Sequence, residues 1–574
     1  MLVVLVGKYN HFIKKQYSVS ESFLYILNMN IEFPYETIRP EQQKFLDAVK
    51  NTNKKYIIAQ LPTGAGKSGI GIFESMLAEN SYLVVTNKAL QDQYWRDFKD
   101  KFPIKMLKGM NNYDCAITDG VKCDMGPCQG SDSISQGIKR YCKANDLCEY
   151  YRTAGAAFKS KIFLANTAIM NAVICRKQIH RELLVIDEAH LLEDFLVDVG
   201  SIKLDFPTMK FKFEAEKRLS KQDLEFIQFA ELESSTTPTG KMDKFIRICT
   251  ALIKEVFADL SEYEAEQNKL IRDGKVAEAI EKGGNDSKKK YKYKREIKDA
   301  FLKVMEYESS DESHKWVYNW DDKNRSLTIV PLNVDWIFEK FFGNLTDKVI
   351  FMSATILNFS NFANTLGIKE SECLFIDVPS TFDPKKGPIV NIGNCSTSYK
   401  ALQDPENLEA IAKTVNYILD QHKGERGIIH TGNMKISKYL KDHCRSSRLL
   451  VRYEDVRNED ILEEHNLRSD SVLVSSSMTE GVDLHDDLST FQIIVKLPWD
   501  SLANLRTKTL ADEIPMWYQN KMWQKLVQAA GRSVRSHEDY ADTFILDASF
   551  SFQHNKYSSY LPEYFEKRLI NPRG

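Results

Sequence analysis

At 574 residues the chain exceeds what one hydrophobic core organises, so several domains are required. Its 43% hydrophobic and 28% charged residues are those of a globular protein, and no apolar run is long enough to cross a bilayer, so no membrane partner is expected. The net charge of −2 excludes a globally basic nucleic-acid coat; any polyanion track has to be a local groove between acidic surfaces.

The chain opens on a short apolar run, Leu2–Val6, with no basic segment before it and no small-residue cleavage site, so no signal peptide is expected. Met29 begins the segment that leads into the first motif. Residues 1–28 therefore read as an extension, either dispensable or the product of a misassigned start.

Residues 30–110 alternate strand and helix. Pro40 suits the first turn of a helix that carries Gln42, whose amide could read an adenine edge bidentately; the plainer reading is a surface glutamine. Tyr56–Ala59 is an apolar strand, Gln60–Ser68 a glycine-rich turn, and Gly69–Glu79 a helical segment. In that context a phosphate-binding loop works. Backbone N–H groups at the helix N-terminus point at the phosphates, and Gly64 and Gly66 let the backbone approach them. Lys67 would reach the β- and γ-phosphates, and the Ser68 hydroxyl would sit on Mg²⁺. Leu61 stands where the strict GxxxxGK(S/T) pattern has its first glycine. The next strand, Ser81–Val85, ends at Thr86 and Asn87, on the edge where open α/β sheets bind ligands, and Gln91–Phe98 follows as helix.

Residues 110–151 are polar, with little periodicity, and hold five of the ten cysteines: Cys115, Cys123, Cys128, Cys142 and Cys148. A secreted disulfide framework would spread pairs over a short chain, so one metal or cluster site in an intracellular protein fits better. Four thiolates suit an iron–sulfur cluster or tetrahedral Zn²⁺; the lack of paired C-x-x-C knuckles disfavours zinc.

The α/β pattern resumes at Lys161–Thr167 and reaches Leu183–Ile186, an apolar strand that ends in Asp187-Glu188-Ala189-His190. Asp187 would hold Mg²⁺ through water, and Glu188 would orient or activate the attacking water. Residues 206–320 read as mostly helical, with helices over Leu219–Leu232 and Lys241–Tyr263 and a charged region to Tyr307. Within them Ser287–Arg295 interleaves basic residues with tyrosines, which makes either a solvated helix face or a contact to a nucleic-acid backbone. Strand-like stretches follow at Leu327–Leu332 and Lys348–Thr355. From about residue 380 a second α/β unit carries Gly427–Gly432, Val472–Ser477 and Phe491–Pro498, with no second phosphate loop.

Five motifs, Pro62–Ser68, Asp187–His190, Ser353–Thr355, Glu480–Asp483 and the QxxGRxxR run Gln528–Arg535, stand in the order found in superfamily 2 helicases. With Asn112–Cys115, Gly126–Cys128, Cys148–Tyr151, Asn166 and Leu497–Trp499, the chain from Phe33 onward resembles the XPD/DinG branch of that superfamily. The resemblance implies an α/β fold of two RecA-like parallel-sheet domains, with a cysteine-rich iron–sulfur insert and a helical arch insert in the first. The implied boundaries are motor domain 1 over 29–109, 152–205 and 322–360, the cluster domain over 110–151, the arch over 206–321 and motor domain 2 over 361–574.

ATP, Mg²⁺ and a 4Fe–4S cluster are the cofactors that the resemblance implies. It assigns the cluster to Cys115, Cys128, Cys142 and Cys148, with Cys123 spare or able to replace Cys128. It gives Gln528, Arg532 and Arg535 the γ-phosphate across the domain cleft. His190 would link the hydrolytic site to the second domain. Gly481 and Asp483 would tie nucleotide state to the strand path, and Ser353 and Thr355 would couple hydrolysis to domain movement. The implied activity is an ATP-dependent DNA helicase that translocates 5′→3′ on single-stranded DNA and unwinds duplex. The expected partners are single-stranded and forked DNA, with RNA–DNA hybrids left open, and the expected form is an intracellular monomeric motor, in cytoplasm or nucleoid, or in host cytoplasm for a viral protein. Two alternatives stand beside it: a DNA-stimulated ATPase that remodels nucleoprotein without unwinding, and a redox-gated nucleic-acid-binding module. The residues before Phe33 are too few for the exonuclease domain some relatives carry, so no nuclease activity is expected.

Overall fold

The computed structural model describes residues 32–129, 133–273, 275, 293–311, 313–453, 456–476, 488–531 and 539–570. The expectations for residues 1–28, for most of Ser287–Arg295, for Gly481 and Asp483, and for Arg532 and Arg535 lie outside the described residues.

In chain order the first domain supplies α1 (Pro40–Lys50), β1 (Tyr56–Gln60), α2 (Lys67–Leu77), β2 (Ser81–Val85), α3 (Lys88–Phe98) and β3 (Ile104–Met106). The cysteine-rich insert follows, with α4 (Ser133–Ala144) and α5 (Glu149–Lys159), and the domain resumes with β4 (Ile162–Asn166), β5 (Arg181–Asp187) and α6 (Leu192–Gly200). An arch then leaves and returns through β6 (Ile202–Asp205), α7 (Gly240–Arg272), α8 (Lys294–Glu308), β7 (Trp316–Asp321) and β8 (Ser326–Pro331). After it come β9 (Thr346–Ser353) and β10 (Cys373–Asp377). The second domain holds β11 (Ile389–Cys395), β12 (Gly427–His430), β13 (Leu449–Val451), β14 (Val472–Ser475), β15 (Phe491–Ile494), α9 (Leu505–Glu513), α10 (Pro515–Ala530), β16 (Asp542–Asp547) and β17 (Leu569–Ile570).

Two seven-stranded sheets result, ordered β10-β1-β9-β5-β2-β4-β3 and β13-β14-β12-β15-β16-β11-β17, and every pairing within them is parallel. The chain is thus an α/β protein of two RecA-like domains. Burial explains the strand sequences. All five residues of β1 are buried, with Ile58 in the core on one face and Ile57 and Ala59 in the core on the other. A strand covered on both faces reads as a continuous apolar run. Helix starts follow local chemistry: Asn87 accepts from the Leu90 N–H at 2.9 Å to cap α3, and Pro40 opens α1.

Three expectations change. The arch is mostly helical as read, but β6, β8 and β7 add a three-stranded antiparallel sheet against α7 and α8, so the boundary at 321/322 falls inside the β7–β8 hairpin. The first domain does not end at 360, because β10 pairs along β1 as an edge of the first sheet. In the insert, α5 crosses the expected boundary at 151/152. No helix among the described residues is long and apolar enough to cross a membrane.

Candidate active site

The turn between β1 and α2 puts Gly64 at φ +78° and Gly66 at φ +77°, the left-handed region that glycine enters without strain. Lys67 and Ser68 open α2, so the loop delivers free N–H groups at a helix N-terminus. α1 holds the loop from outside. Arg39 Nη1 donates to the Gly64 carbonyl at 2.7 Å, and Gln42 Nε2 donates to the Ala65 carbonyl at 2.9 Å. Gln42 Oε1 accepts from the Arg39 N–H at 2.9 Å. The Gln42 amide, buried beside Gly66, is therefore committed through its nitrogen to the loop and through its oxygen to the start of its own helix, which leaves one N–H and one lone pair for any base edge.

β5 carries Asp187 to the same edge. Tyr94 on α3 donates its hydroxyl to Asp187 Oδ2 at 2.8 Å, and the Glu188 N–H donates to Oδ1 at 2.9 Å. Burial, then the neighbouring Glu188, lifts the Asp187 carboxyl to a pKa of about 6, with Lys67 opposing. Glu188 takes a left-handed φ of +53°, which turns its carboxylate towards the loop. Its two oxygens stand 3.7 Å from Lys67 Nζ and 3.4 Å from His190 Nδ1.

The line continues into the other domain. Gln528 on α10 donates through Nε2 to His190 Nε2 at 2.7 Å and to Thr355 Oγ1 at 3.0 Å. His190 Nε2 is then the acceptor nitrogen, and the Nδ1–H, 2.9 Å from Ser353 Oγ, is the donor. Ser353 Oγ also accepts from the Thr355 N–H at 3.1 Å. The structure so brings together Lys67, Glu188, His190, Ser353, Thr355 and Gln528 on one cross-domain path.

The five insert thiols lie within one short segment, and two of them meet. Cys123, Cys128, Cys142 and Cys148 are buried, and Cys115 is half-buried. Cys123 Sγ lies 3.7 Å from Cys148 Sγ. Burial, then Cys148, Cys115 and Cys128, pushes the Cys123 thiol up to about 12; burial, then Cys128, Cys148 and Cys115, raises that of Cys142. Cys115, Cys128 and Cys148 thus act on both remaining thiols. Among the described residues no three Cys, His, Asp or Glu side chains already stand close enough to hold a metal. The chemistry of the donor set fits a thiolate-bound group: it is all sulfur, and four of the five thiols are shielded from water. The single Sγ–Sγ distance also matches the edge, about 3.8 Å, of a tetrahedron with 2.3 Å metal–sulfur bonds, which keeps zinc as the structural rival.

Between this insert, the arch and the first sheet lies a cavity of about 1470 Å³, walled by Lys88, Lys139, Lys143, Arg176, Lys177, Lys294 and Lys298 with Tyr150 and Tyr151. The Lys143 ammonium sits 4.9 Å above the Tyr151 ring. Cations interleaved with aromatic faces suit a single strand's phosphates and bases. Asp124, Asp146 and Asp299 also line it, and Arg176 meets Asp299 at 3.0 Å.

Sequence reasoning missed Arg39, Tyr94 and the cationic wall apart from Lys294, which lies in the Ser287–Arg295 run. Arg39 carried a signal, since it precedes Pro40 in the segment already selected; Tyr94 carried none beyond lying on the helix after β2.

Known proteins fit this geometry. Residues 431–568 match the family described as helicase C-terminal domain, and residues 36–213 match that described as type III restriction enzyme, res subunit. A probable ATP-dependent helicase of Methanocaldococcus jannaschii is 22% identical over 91% of this chain and 93% of its own. The ATP-dependent DNA helicase YoaA of Escherichia coli is 23% identical over 34% of this chain and 30% of its own. Among solved structures, an XPD helicase superposes with a TM-score of 0.62 at 16% identity, covering 94% of this chain and all of that one. Xpd4 of S. tokodaii gives 0.58 at 12%, over 93% of this chain and all of that one. Motif order, paired RecA-like sheets and these matches support the reading of the chain as an XPD/DinG-like superfamily 2 helicase.

Proposed function

We propose that the protein is an ATP-dependent DNA helicase that moves 5′→3′ along single-stranded DNA and separates duplex ahead of it. The observation that carries this reading is the unbroken path Lys67–Glu188–His190–Gln528, which joins a phosphate loop in one domain to a helix of the other. Gly64 and Gly66 cradle the phosphates, and Lys67 binds the β- and γ-phosphates. Ser68 and Asp187 would hold Mg²⁺, whose charge, when present, offsets that developing on the phosphate oxygens. Glu188 orients the attacking water and takes its proton as the water oxygen bonds to the γ-phosphorus; the bond from that phosphorus to the β–γ bridging oxygen breaks, and ADP and phosphate leave. Gln528 reports that change through His190, and Arg532 and Arg535 complete the γ-phosphate contacts from the second domain. Forked DNA supplies the single strand to the cationic cavity.

Cys115, Cys128, Cys142 and Cys148 would hold the 4Fe–4S cluster, with Cys123 as the alternative to Cys128. When bound, it would cross-link segments of the insert that have few apolar side chains to bury. Anaerobically purified protein is expected to be brown, with about four irons per chain; colourless protein that holds zinc would overturn the cluster.

The test of the motor is ATPase with and without single-stranded DNA, then displacement from duplexes with a 5′ or a 3′ tail. Stimulated hydrolysis with displacement from the 5′-tailed duplex is expected, and Lys67→Ala should abolish both. Displacement from the 3′ tail alone overturns the polarity. Stimulated hydrolysis without displacement replaces unwinding with remodelling of nucleoprotein.

A further inference from the structure

Three residues after His190, Glu193 on α6 is buried, and both its carboxylate oxygens point into the second domain. Arg506 Nη2 on α9 donates to Oε1 at 2.8 Å, and Lys521 Nζ on α10 stands 3.1 Å from Oε2. Trp517 Nε1 reaches Oε1 at 3.1 Å and Oε2 at 3.0 Å. Lys521 also meets Asp194 at 3.2 Å, on a side chain that is 62% exposed. Val317, Leu332, Leu510 and Trp517 form an apolar cluster against the base of the arch beside this cluster of charges. Two acids and two bases balance, and one of the acids is wholly inside.

The same face of α10 then runs to the hydrolytic site. Asn520 accepts from the Asn358 N–H at 3.3 Å, Gln524 donates to the Ile356 carbonyl at 3.4 Å, and Gln528 ends on His190 and Thr355. Positions 517, 520, 521, 524 and 528 follow helical spacing, so they form one stripe.

We propose that Glu193 is a positioning residue, the buried pivot that docks α9 and α10 on the first domain and thereby sets Gln528 against His190. A carboxylate surrounded by two cations and an indole N–H cannot leave them without stranding buried charge, so the docked geometry is held from one end of the stripe while the other end meets the nucleotide site. The strong lowering of the Glu193 pKa, to about 2, agrees with those partners. The inference rests on the proposed ATPase only for its kinetic consequence; the docking itself does not depend on it.

The test compares Glu193→Gln with wild type, using hydrogen exchange on the nucleotide-free full chain and steady-state ATPase. The neutral amide leaves Arg506 without its carboxylate and Lys521 with only the exposed Asp194. Exchange in Pro515–Ala530 should rise at least tenfold while β1 and β5 keep wild-type protection. Stimulated kcat should fall about tenfold with KM for ATP unchanged. The double variant Glu193→Leu, Arg506→Met removes one charge of each sign and leaves Lys521 paired with Asp194, and it should restore slow exchange. Wild-type exchange and kcat in Glu193→Gln would overturn the proposal, as would exchange that rises equally in β1 and β5, which marks a merely stabilising residue. If wild type itself lacks DNA-stimulated hydrolysis, the proposed function fails while the exchange result still decides the pivot.

Discussion

Gly66 resists a side chain twice. Its φ of +77° disfavours any L-residue, and a Cβ there would collide with the Gln42 amide. Gly120 has a similar φ, +70°, but open space around it. Gly66→Ala should therefore weaken ATP binding at least tenfold, and Gly120→Ala should leave it unchanged; titration with a fluorescent ATP analogue checks both. Glu74, buried on α2, makes a pH prediction. Burial lifts its pKa from 4.5 to about 7, with Lys348 opposing. A carboxyl whose pKa is raised by folding favours the native state most below pH 4.5 and loses that contribution as pH climbs to about 7, a swing of roughly 3 kcal/mol. Glu74→Gln should raise the melting temperature at pH 8 and leave it nearly unchanged at pH 4. The phosphate loop and the Asp187–His190 turn were legible residue by residue because the ligand needs contiguous backbone. Arg39 and Tyr94 act from neighbouring helices, and no short pattern marks that.

Among the elements, the legible ones were the strands buried on both faces, β1, β2, β4, β5 and β9, whose apolar runs admit no other placement in an α/β chain. β6, β7 and β8 were harder. Trp316–Asp321 carries polar residues at its exposed end, and β6 finds its partner more than a hundred residues away, across the helices of the arch. The polar stripe of α10 reads as a solvent face until the first domain is laid against it. The end of that helix has its own support: Arg568, nine-tenths buried, donates to the carbonyls of Gly387 and Ala530, the latter at 3.0 Å. Burial lowers its pKa to about 10. Arg568→Met would leave both carbonyls without this donor, and it should destabilise the second domain by roughly 2–4 kcal/mol; urea unfolding followed by a probe in that domain would register the loss.

For the whole molecule, a net charge of −2 conceals a wall of lysine and arginine around one cavity. Affinity for single-stranded DNA should accordingly fall steeply with salt. Lys143→Ala should weaken binding and flatten the slope of log K against log salt by about 0.7, the share of one phosphate on a single strand. Anisotropy titrations at several salt concentrations measure it; an unchanged slope would mean that the strand runs elsewhere. This wall was not legible because its residues come from the insert, the first sheet's loops and the arch, and only the fold gathers them.

The position of β1 has a consequence for biosynthesis. It lies between β9 and β10 in the first sheet, and Gln60 and Asp377, paired across β1 and β10, are 317 residues apart in the chain. A ribosome adding about 5–20 residues per second completes the second flank of the phosphate-loop strand roughly 15–60 s after making the strand itself. Until β9 is made, which takes up most of that interval, an apolar strand has two open edges in the nascent chain, so a segment exposed to chaperones and to premature aggregation is the one on which nucleotide binding depends.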